Sequence, residues 1–174
     1  MNITLQRCTS DDRALTAEWL VRQYGFDPQE VDGWLHNLRF NWPMSVKAVA
    51  ENGDTVGLLN MSDYRIDEET EQILVEQPKL IHRLNQMRYI AVFSFIVSEQ
   101  YRHTQLNYNM LMSIWPELEA YDFVYIPVMH SLKTHQYWKR WGAVEFYRDT
   151  AVVHYMIPFS GRAAQVARER CEEA

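Results

Sequence analysis

The chain is short of cysteine: its 174 residues hold two, Cys8 and Cys171, near opposite ends. They outline no metal-ligand spacing, and His82, His135 and His154 show none with carboxylates or thiols, so no metal site is expected. Two unpaired thiols in a reducing cytoplasm are the expectation. Long hydrophobic runs are absent too. The longest, Ile90–Val97 with Ser94 inside, is strand-length, and Met1–Arg7 has no apolar signal core, so neither membrane insertion nor export is read. Positive charge is not in excess: 17 Lys and Arg stand against 23 Asp and Glu, a net charge of −6. That argues against a dedicated nucleic-acid binder, because phosphate contacts dominate such affinity. There is no repeat, low-complexity stretch or linker, so residues 1–174 read as one domain. What is present is ample core material, 47% hydrophobic with 13% aromatic residues. A chain of this length buries roughly 68–70% of its unfolded surface without staples.

Strands and helices alternate. Ile3–Arg7 reads as a strand, followed by a helix start with Thr9 and Asp12 at capping-box spacing. Leu15, Trp19 and Leu20 give that helix one apolar face, and Gly25 stops it. Asp27 is an N-cap candidate, with Pro28 at the first helical position and Glu30 at the box position. Val31, Trp34, Leu35 and Leu38 follow at helical spacing. Val46–Glu51 and Thr55–Asn60 flank Asn52-Gly53, a dipeptide that predicts a type I′ hairpin. Arg65–Arg88 is acidic early (Asp67, Glu68, Glu69, Glu71) and carries Pro78, predicting one or two short helices inserted between strands.

Arg88–Val97 predicts a buried strand, and Leu106, Met110, Leu111, Ile114 and Leu118 mark a helix that Pro116 kinks or ends near Trp115. Phe123–Met129 is another buried strand. Thr134–Trp141 is a short helix, capped by Thr134 and closed by a left-handed Gly142. Ala143–Tyr147 and Ala151–Ile157 form a final hairpin across Arg148-Asp149-Thr150, and Gly161–Glu173 is a polar helix or a frayed tail. The fold class is α/β: a mixed, mainly antiparallel sheet of about seven strands, with helices on both faces and one parallel crossover.

The segment Val97-Ser98-Glu99-Gln100-Tyr101-Arg102-His103-Thr104-Gln105-Leu106-Asn107 joins a buried strand to a helix. Backbone N–H groups at a helix start point outward and suit an anion, and Arg102 and His103 add positive charge. Any strand–turn–helix has such an end, and most hold only water.

Three patterns together resemble the GNAT superfamily of acyl-CoA N-acyltransferases. Val49–Gly57 resembles its second hairpin. Val97–Leu111 resembles its pyrophosphate motif, an Arg or Gln followed by x-x-Gly-x-Gly or Ala and an apolar helix. Tyr137-Trp138-Lys139-Arg140-Trp141-Gly142-Ala143 resembles its helix near the C-terminus. The resemblance covers residues 1–158 in element order and implies acetyl-CoA, or another acyl-CoA, as co-substrate. It implies that the strand residues Phe95, Ile96 and Val97 bond the pantetheine arm. Arg102, His103, Thr104, Gln105, Leu106 and Asn107 would hold the pyrophosphate, and Ser131 and Trp138 would lie along the cofactor.

The sequence departs from the family where two glycines become Gln105 and Asn107, which keep their N–H donors but bring side chains towards the phosphates. It departs again at Trp138, which stands where the family commonly has a Tyr that protonates the leaving thiolate; an indole N–H only donates a hydrogen bond. Tyr137 is the neighbouring phenol, about 100° round the helix, and pairs at i, i+4 with Trp141 as a core contact. His130, at a strand end, reads first as a plain strand cap; with a reference pKa of about 6.5 it also suits a base. Glu99 faces solvent in the turn.

Two readings follow. In the first, an N-acetyltransferase moves an acyl group, acetyl first, from CoA to a primary amine, with His130 and Tyr137 as catalytic candidates. The acceptor is then a small molecule or a peptide; the acidic insertion reads first as a solvated helix face and otherwise as an attractor for the amine's cation. In the second, a non-catalytic module of the same fold binds acyl-CoA or a protein partner. A homodimer through the last strands or the insertion is compatible with both.

Overall fold

A computed structural model describes residues 2–37, 40–66, 71–102 and 104–173. His103, Leu38, Asp67, Glu68 and Glu69 lie outside the described residues, as does the side chain of Glu71. The strands are β1 (Ile3–Arg7), β2 (Val46–Ala50), β3 (Thr55–Ser62), β4 (Tyr89–Val97), β5 (Phe123–Met129), β6 (Val144–Arg148) and β7 (Val152–Pro158). The helices are α1 (Arg13–Tyr24), α2 (Pro28–Asn37), α3 (Glu71–Glu76), α4 (Pro78–Asn85), α5 (Leu106–Met112), α6 (Trp115–Leu118), α7 (His135–Arg140) and α8 (Gly161–Glu173). The sheet has seven strands in the order β1-β2-β3-β4-β5-β7-β6. β4 and β5 run parallel over Tyr89↔Phe123 to Ala91↔Tyr125. The pairs β1–β2, β2–β3, β5–β7 and β6–β7 are antiparallel.

The chain divides into two compact units. The first comprises Met1–Asp63 and Val92–Pro116, the second Tyr64–Ala91 and Glu117–Ala174. β4 contributes to both. In the first unit, Leu58 and Ile96 join Trp19, Leu20, Val31 and Leu35 in a buried cluster, which places α1 and α2 on the Leu58 face of the sheet. Neighbouring residues of a strand point to opposite faces. Gly57 accordingly meets Met110 of α5 on the other face. In the second unit, α8 packs on β6 and β7, burying Ala163, Val166 and Ala167.

The local chemistry explains most element ends. Asp27 Oδ1 accepts from the Gln29 N–H at 2.7 Å and the Glu30 N–H at 3.3 Å, capping α2. Gly25 (φ 70°) and Gly142 (φ 83°) take the left-handed conformation that closes a helix and favours glycine. Asp12 accepts from the Thr9 N–H at 2.9 Å, although a 3-10 turn, Ser10–Asp12, precedes α1. The acidic insertion forms two helices among the described residues, with Pro78 opening α4. The C-terminal segment is helical, tied down by Arg83–Glu169 at 2.7 Å and Arg170–Gln77 at 3.2 Å.

Three expectations need correction. The hairpin after β2 is present, but not as a type I′ turn: Gly53 has φ 87° and Asn52 does not have a positive φ. The bonds Gly53 N–H to Ala50 O and Ala50 N–H to Asp54 O, both 2.9 Å, describe a turn followed by one left-handed glycine. That is the longer kind of hairpin loop, built on an ordinary turn, in which a single residue needs a positive φ. The helix after the β4 turn ends at Met112, before Pro116, which instead sits in the first turn of α6. Thr134 stands at the cap position of α7 but makes no side-chain cap bond.

Candidate functional site

The first unit holds Phe95, Ile96, Val97, Arg102, Thr104, Gln105, Leu106 and Asn107; the second holds His130, Ser131, Tyr137 and Trp138. In the first unit, the end of β4 is held by the Ser98 N–H, which donates to Val56 O at 2.9 Å. Phe95 is half-buried, whereas Ile96 and Val97 are buried; Ile96 belongs to the core cluster, so only its backbone can face a ligand. A short 3-10 turn, Glu99–Tyr101, buries Tyr101 and turns the chain towards α5.

Arg102 is exposed, yet its guanidinium folds back on the protein. Nε donates to Val97 O at 3.2 Å and Nη2 to Gln23 Oε1 at 3.3 Å. The expected phosphate-binding side chain thus bonds the carbonyl expected to hold the pantetheine arm. Thr104 Oγ1 donates to Tyr101 O at 2.7 Å and accepts from the Leu106 N–H at 3.2 Å, so one helix-start donor is already engaged. Gln105 is exposed at the N-cap position, Leu106 is buried, and the buried Asn107 Oδ1 has no protein partner. An open cavity of about 910 Å³ lies beside this turn, lined by Ile3, Leu5, Gln100, Thr104, Gln105 and Asn109 among others.

In the second unit, His130 ends β5 exposed. Its N–H donates to Ala151 O at 2.9 Å, and its Nε2 lies 2.9 Å from Asp149 O. A carbonyl only accepts, so these partners assign the proton to Nε2. Ser131 follows, also exposed. Trp138 is buried at 4% exposure in α7. Tyr137 packs edge-on against Trp138 (5.1 Å between centroids) and Trp141 (6.3 Å), the i, i+4 contact its spacing predicts. Burial pushes its phenol up to about 12, against a bond with Trp141.

Asp149, His154, Tyr125 and Gln23 escaped the sequence reading. One signal was available: His154 is the one ionisable residue besides Tyr155 within the apolar run Val152–Ile157. Among the described residues, no group of three His, Cys, Asp or Glu is placed to hold a metal. No described helix is long and apolar enough to cross a membrane.

No family model matches the sequence, and no curated protein matches it. Solved structures do match the fold. A polyamine N-acetyltransferase from Drosophila melanogaster superposes with TM-score 0.64 at 13% identity, over 90% of this chain and 100% of that one. An acetyltransferase of the GNAT family from Staphylococcus aureus gives 0.63 at 12% identity, over 91% and 100%. The PaiA N-acetyltransferase from Thermoplasma acidophilum, solved with coenzyme A, gives 0.59 at 10% identity, over 91% and 99%. With seven strands in this order and these structures superposing over nine-tenths of its length, the chain has the GNAT acetyltransferase fold.

Proposed function

We propose that residues 1–174 act as a single N-acetyltransferase domain, transferring an acyl group, acetyl first, from CoA to a primary amine. The observation that carries this reading is the superposition on N-acetyltransferases over nine-tenths of the chain, one of them solved with coenzyme A. In such a transfer the amine attacks the thioester carbonyl, the amine proton leaves, and the C–S bond breaks to release the thiolate. His130 is the base in this reading. With Nε2–H committed to Asp149 O, Nδ1 is the nitrogen that accepts the amine proton. Tyr137 is the candidate acid; with its pKa at about 12 it stays protonated at neutral pH and donates to a thiolate as the bond breaks.

For the nucleotide end, Arg102 is the cation, Thr104–Asn107 supply polar groups, and the Phe95–Val97 backbone takes the pantetheine amides. Arg102 fits a pyrophosphate by charge and exposure. Val97 O keeps a second lone pair for the arm while it accepts from Arg102, and both are open to it once Arg102 turns to phosphate. The acceptor is a small-molecule or peptide amine; the Drosophila neighbour is itself a polyamine acetyltransferase.

A second reading is favoured by one observation. Trp138 is buried where the family places its acidic Tyr, which fits a non-catalytic module that binds acyl-CoA. Calorimetric titration of acetyl-CoA and CoA, beside a Gln105→Gly, Asn107→Gly variant, tests both. Micromolar binding by the wild type, followed by CoA release with a panel of primary amines, supports the enzyme. Binding with no release supports the module. No binding by either protein defeats the assignment of the 102–107 turn.

A further inference from the structure

β7 places a histidine deep in an otherwise apolar strand. His154 is fully buried, with the rings of Tyr125, Phe146 and Tyr147 around it. A buried imidazole needs partners for both nitrogens. Nδ1 lies 2.7 Å from the Tyr125 hydroxyl, and Nε2 lies 2.9 Å from Asp149 Oδ2. Burial alone would raise the Asp149 carboxyl, but bonds from His154, Ala151 and Val152 outweigh it and hold it below the usual range. It is therefore an ion and accepts only. The proton of His154 sits on Nε2, and Nδ1 accepts from the Tyr125 hydroxyl.

Asp149 is also the hub of the β6–β7 loop. Its Oδ1 accepts from the N–H groups of Ala151 and Val152, both at 2.7 Å. Its own N–H donates to Val152 O at 3.0 Å. Its carbonyl takes the Nε2–H of His130 at 2.9 Å. Every polar group of Asp149 is used, and a buried histidine is thereby linked to an exposed one.

We propose that Asp149 is the positioning residue for His130, and that His154 and Tyr125 hold Asp149 in place: the line Tyr125–His154–Asp149 presents the carbonyl that orients the His130 ring and keeps its Nδ1 free of the proton. The proposal rests on the reading of His130 as the base. An exposed imidazole without such a bond rotates and exchanges its N–H with water. One held at a fixed carbonyl presents a single nitrogen in a single direction, and an ångström of misplacement in such a group costs about 10²-fold in rate.

The test reads His130 directly, by NMR of histidine-labelled full-length protein without any substrate. The wild type should give His130 as one tautomer, with an Nε2 proton slow enough in exchange to be seen. His154→Phe fills the same space but removes the donor to Asp149. In it, the His130 Nε2 proton should vanish into solvent exchange and the two nitrogen shifts should move towards each other. His154→Gln, which restores an N–H, should recover part of the signature. Should His154→Phe not fold, Tyr125→Phe, which removes one hydroxyl, is read by the same signals and should show a smaller shift of the same sign.

His130 signals unchanged from wild type in the folded variants overturn the proposal. Acetyl transfer to an amine panel separates its failure from that of the underlying reading. Where His130 is the base, His154→Phe lowers kcat about 10²-fold with KM for acetyl-CoA unchanged. Full turnover by His130→Gln defeats the base assignment itself, and the catalytic meaning of the line with it.

Discussion

Gly57 and Met110 give the sharpest stability prediction. A Cβ at Gly57 would lie 2.8 Å from Met110 Sδ, 3.3 Å from Ala48 Cβ and 3.4 Å from Met110 Cε. Favourable contacts between such atoms begin near 3.5 Å, so about 0.7 Å must be found somewhere. Met110 is fully buried and has no solvent to swing into. Overpacking of this kind costs about 1–3 kcal/mol. Replacing Gly by Ala returns about 0.4–1 kcal/mol by restricting the unfolded chain. Gly57→Ala should therefore destabilise by about 1–2 kcal/mol.

Met110→Ala alone should cost about 2–5 kcal/mol, because it empties a fully buried site. In that background the contacts with Met110 are gone, the 3.3 Å approach to Ala48 Cβ alone remains, and the new methyl enters the vacated space, so Gly57→Ala should lose most of its cost. A double-mutant cycle by urea denaturation, with equal m-values as the check on comparability, measures this coupling; about 1–3 kcal/mol is expected. The reasoning is refuted if Gly57→Ala destabilises the Met110→Ala protein as much as it does the wild type.

Three further outcomes are expected. Burial lowers the His154 pKa below its ordinary 6.5, against the pull of Asp149. The unfolded chain then binds the proton first as pH falls, so this contribution is full above 6.5 and is lost as pH drops from there towards the folded pKa. Denaturant midpoints should fall as the pH is taken from about 7.5 to about 5.5 in the wild type, and a His154→Phe protein with the same slope would contradict the assignment. Ser94→Ala leaves the fully buried Asn60 amide, which donates to Ser94 Oγ at 2.8 Å, without that partner. It should cost about 1–3 kcal/mol by thermal denaturation, with Asn60→Leu added to it recovering part of the loss. Burial pushes the Cys8 thiol up to about 12, so in a Cys171→Ser protein iodoacetamide at about pH 8 should label Cys8 only after unfolding in urea.

Elements whose cause is local were legible in the sequence. Asp27, Pro28 and Glu30 announce α2 because a cap needs only neighbours three residues away. The β-branched and aromatic run around Ile90–Val97 announces a buried strand for the same reason. The Asn52-Gly53 turn was less legible, because the dipeptide does not fix loop length. The register of the β2–β3 ladder, which shifts between Ala48 and Val49, leaves one position that needs a positive φ, and Gly53 takes it. At the candidate site, the turn after β4 was visible in outline, but the partners of Arg102 were not. Gln23 is 79 residues away in sequence, and no periodicity encodes that bond. Tyr125 and His154 are 29 residues apart and meet only because β5 pairs with β7.

The division of the chain has a consequence for its synthesis. The first unit needs residues 92–116 as well as 1–63, so it is complete once Pro116 is made, before β5 has begun. By then α3 and α4 have been made, carrying Ile73, Leu80, Ile81 and Leu84, which are buried in the folded protein. They belong to the second unit, whose remaining strands and α8 come last. In sequence, the growing chain thus carries an apolar segment of the second unit between the two parts of the first until residues 117–173 are made. Slow translation after residue 116 lengthens that wait, and with it the exposure to aggregation.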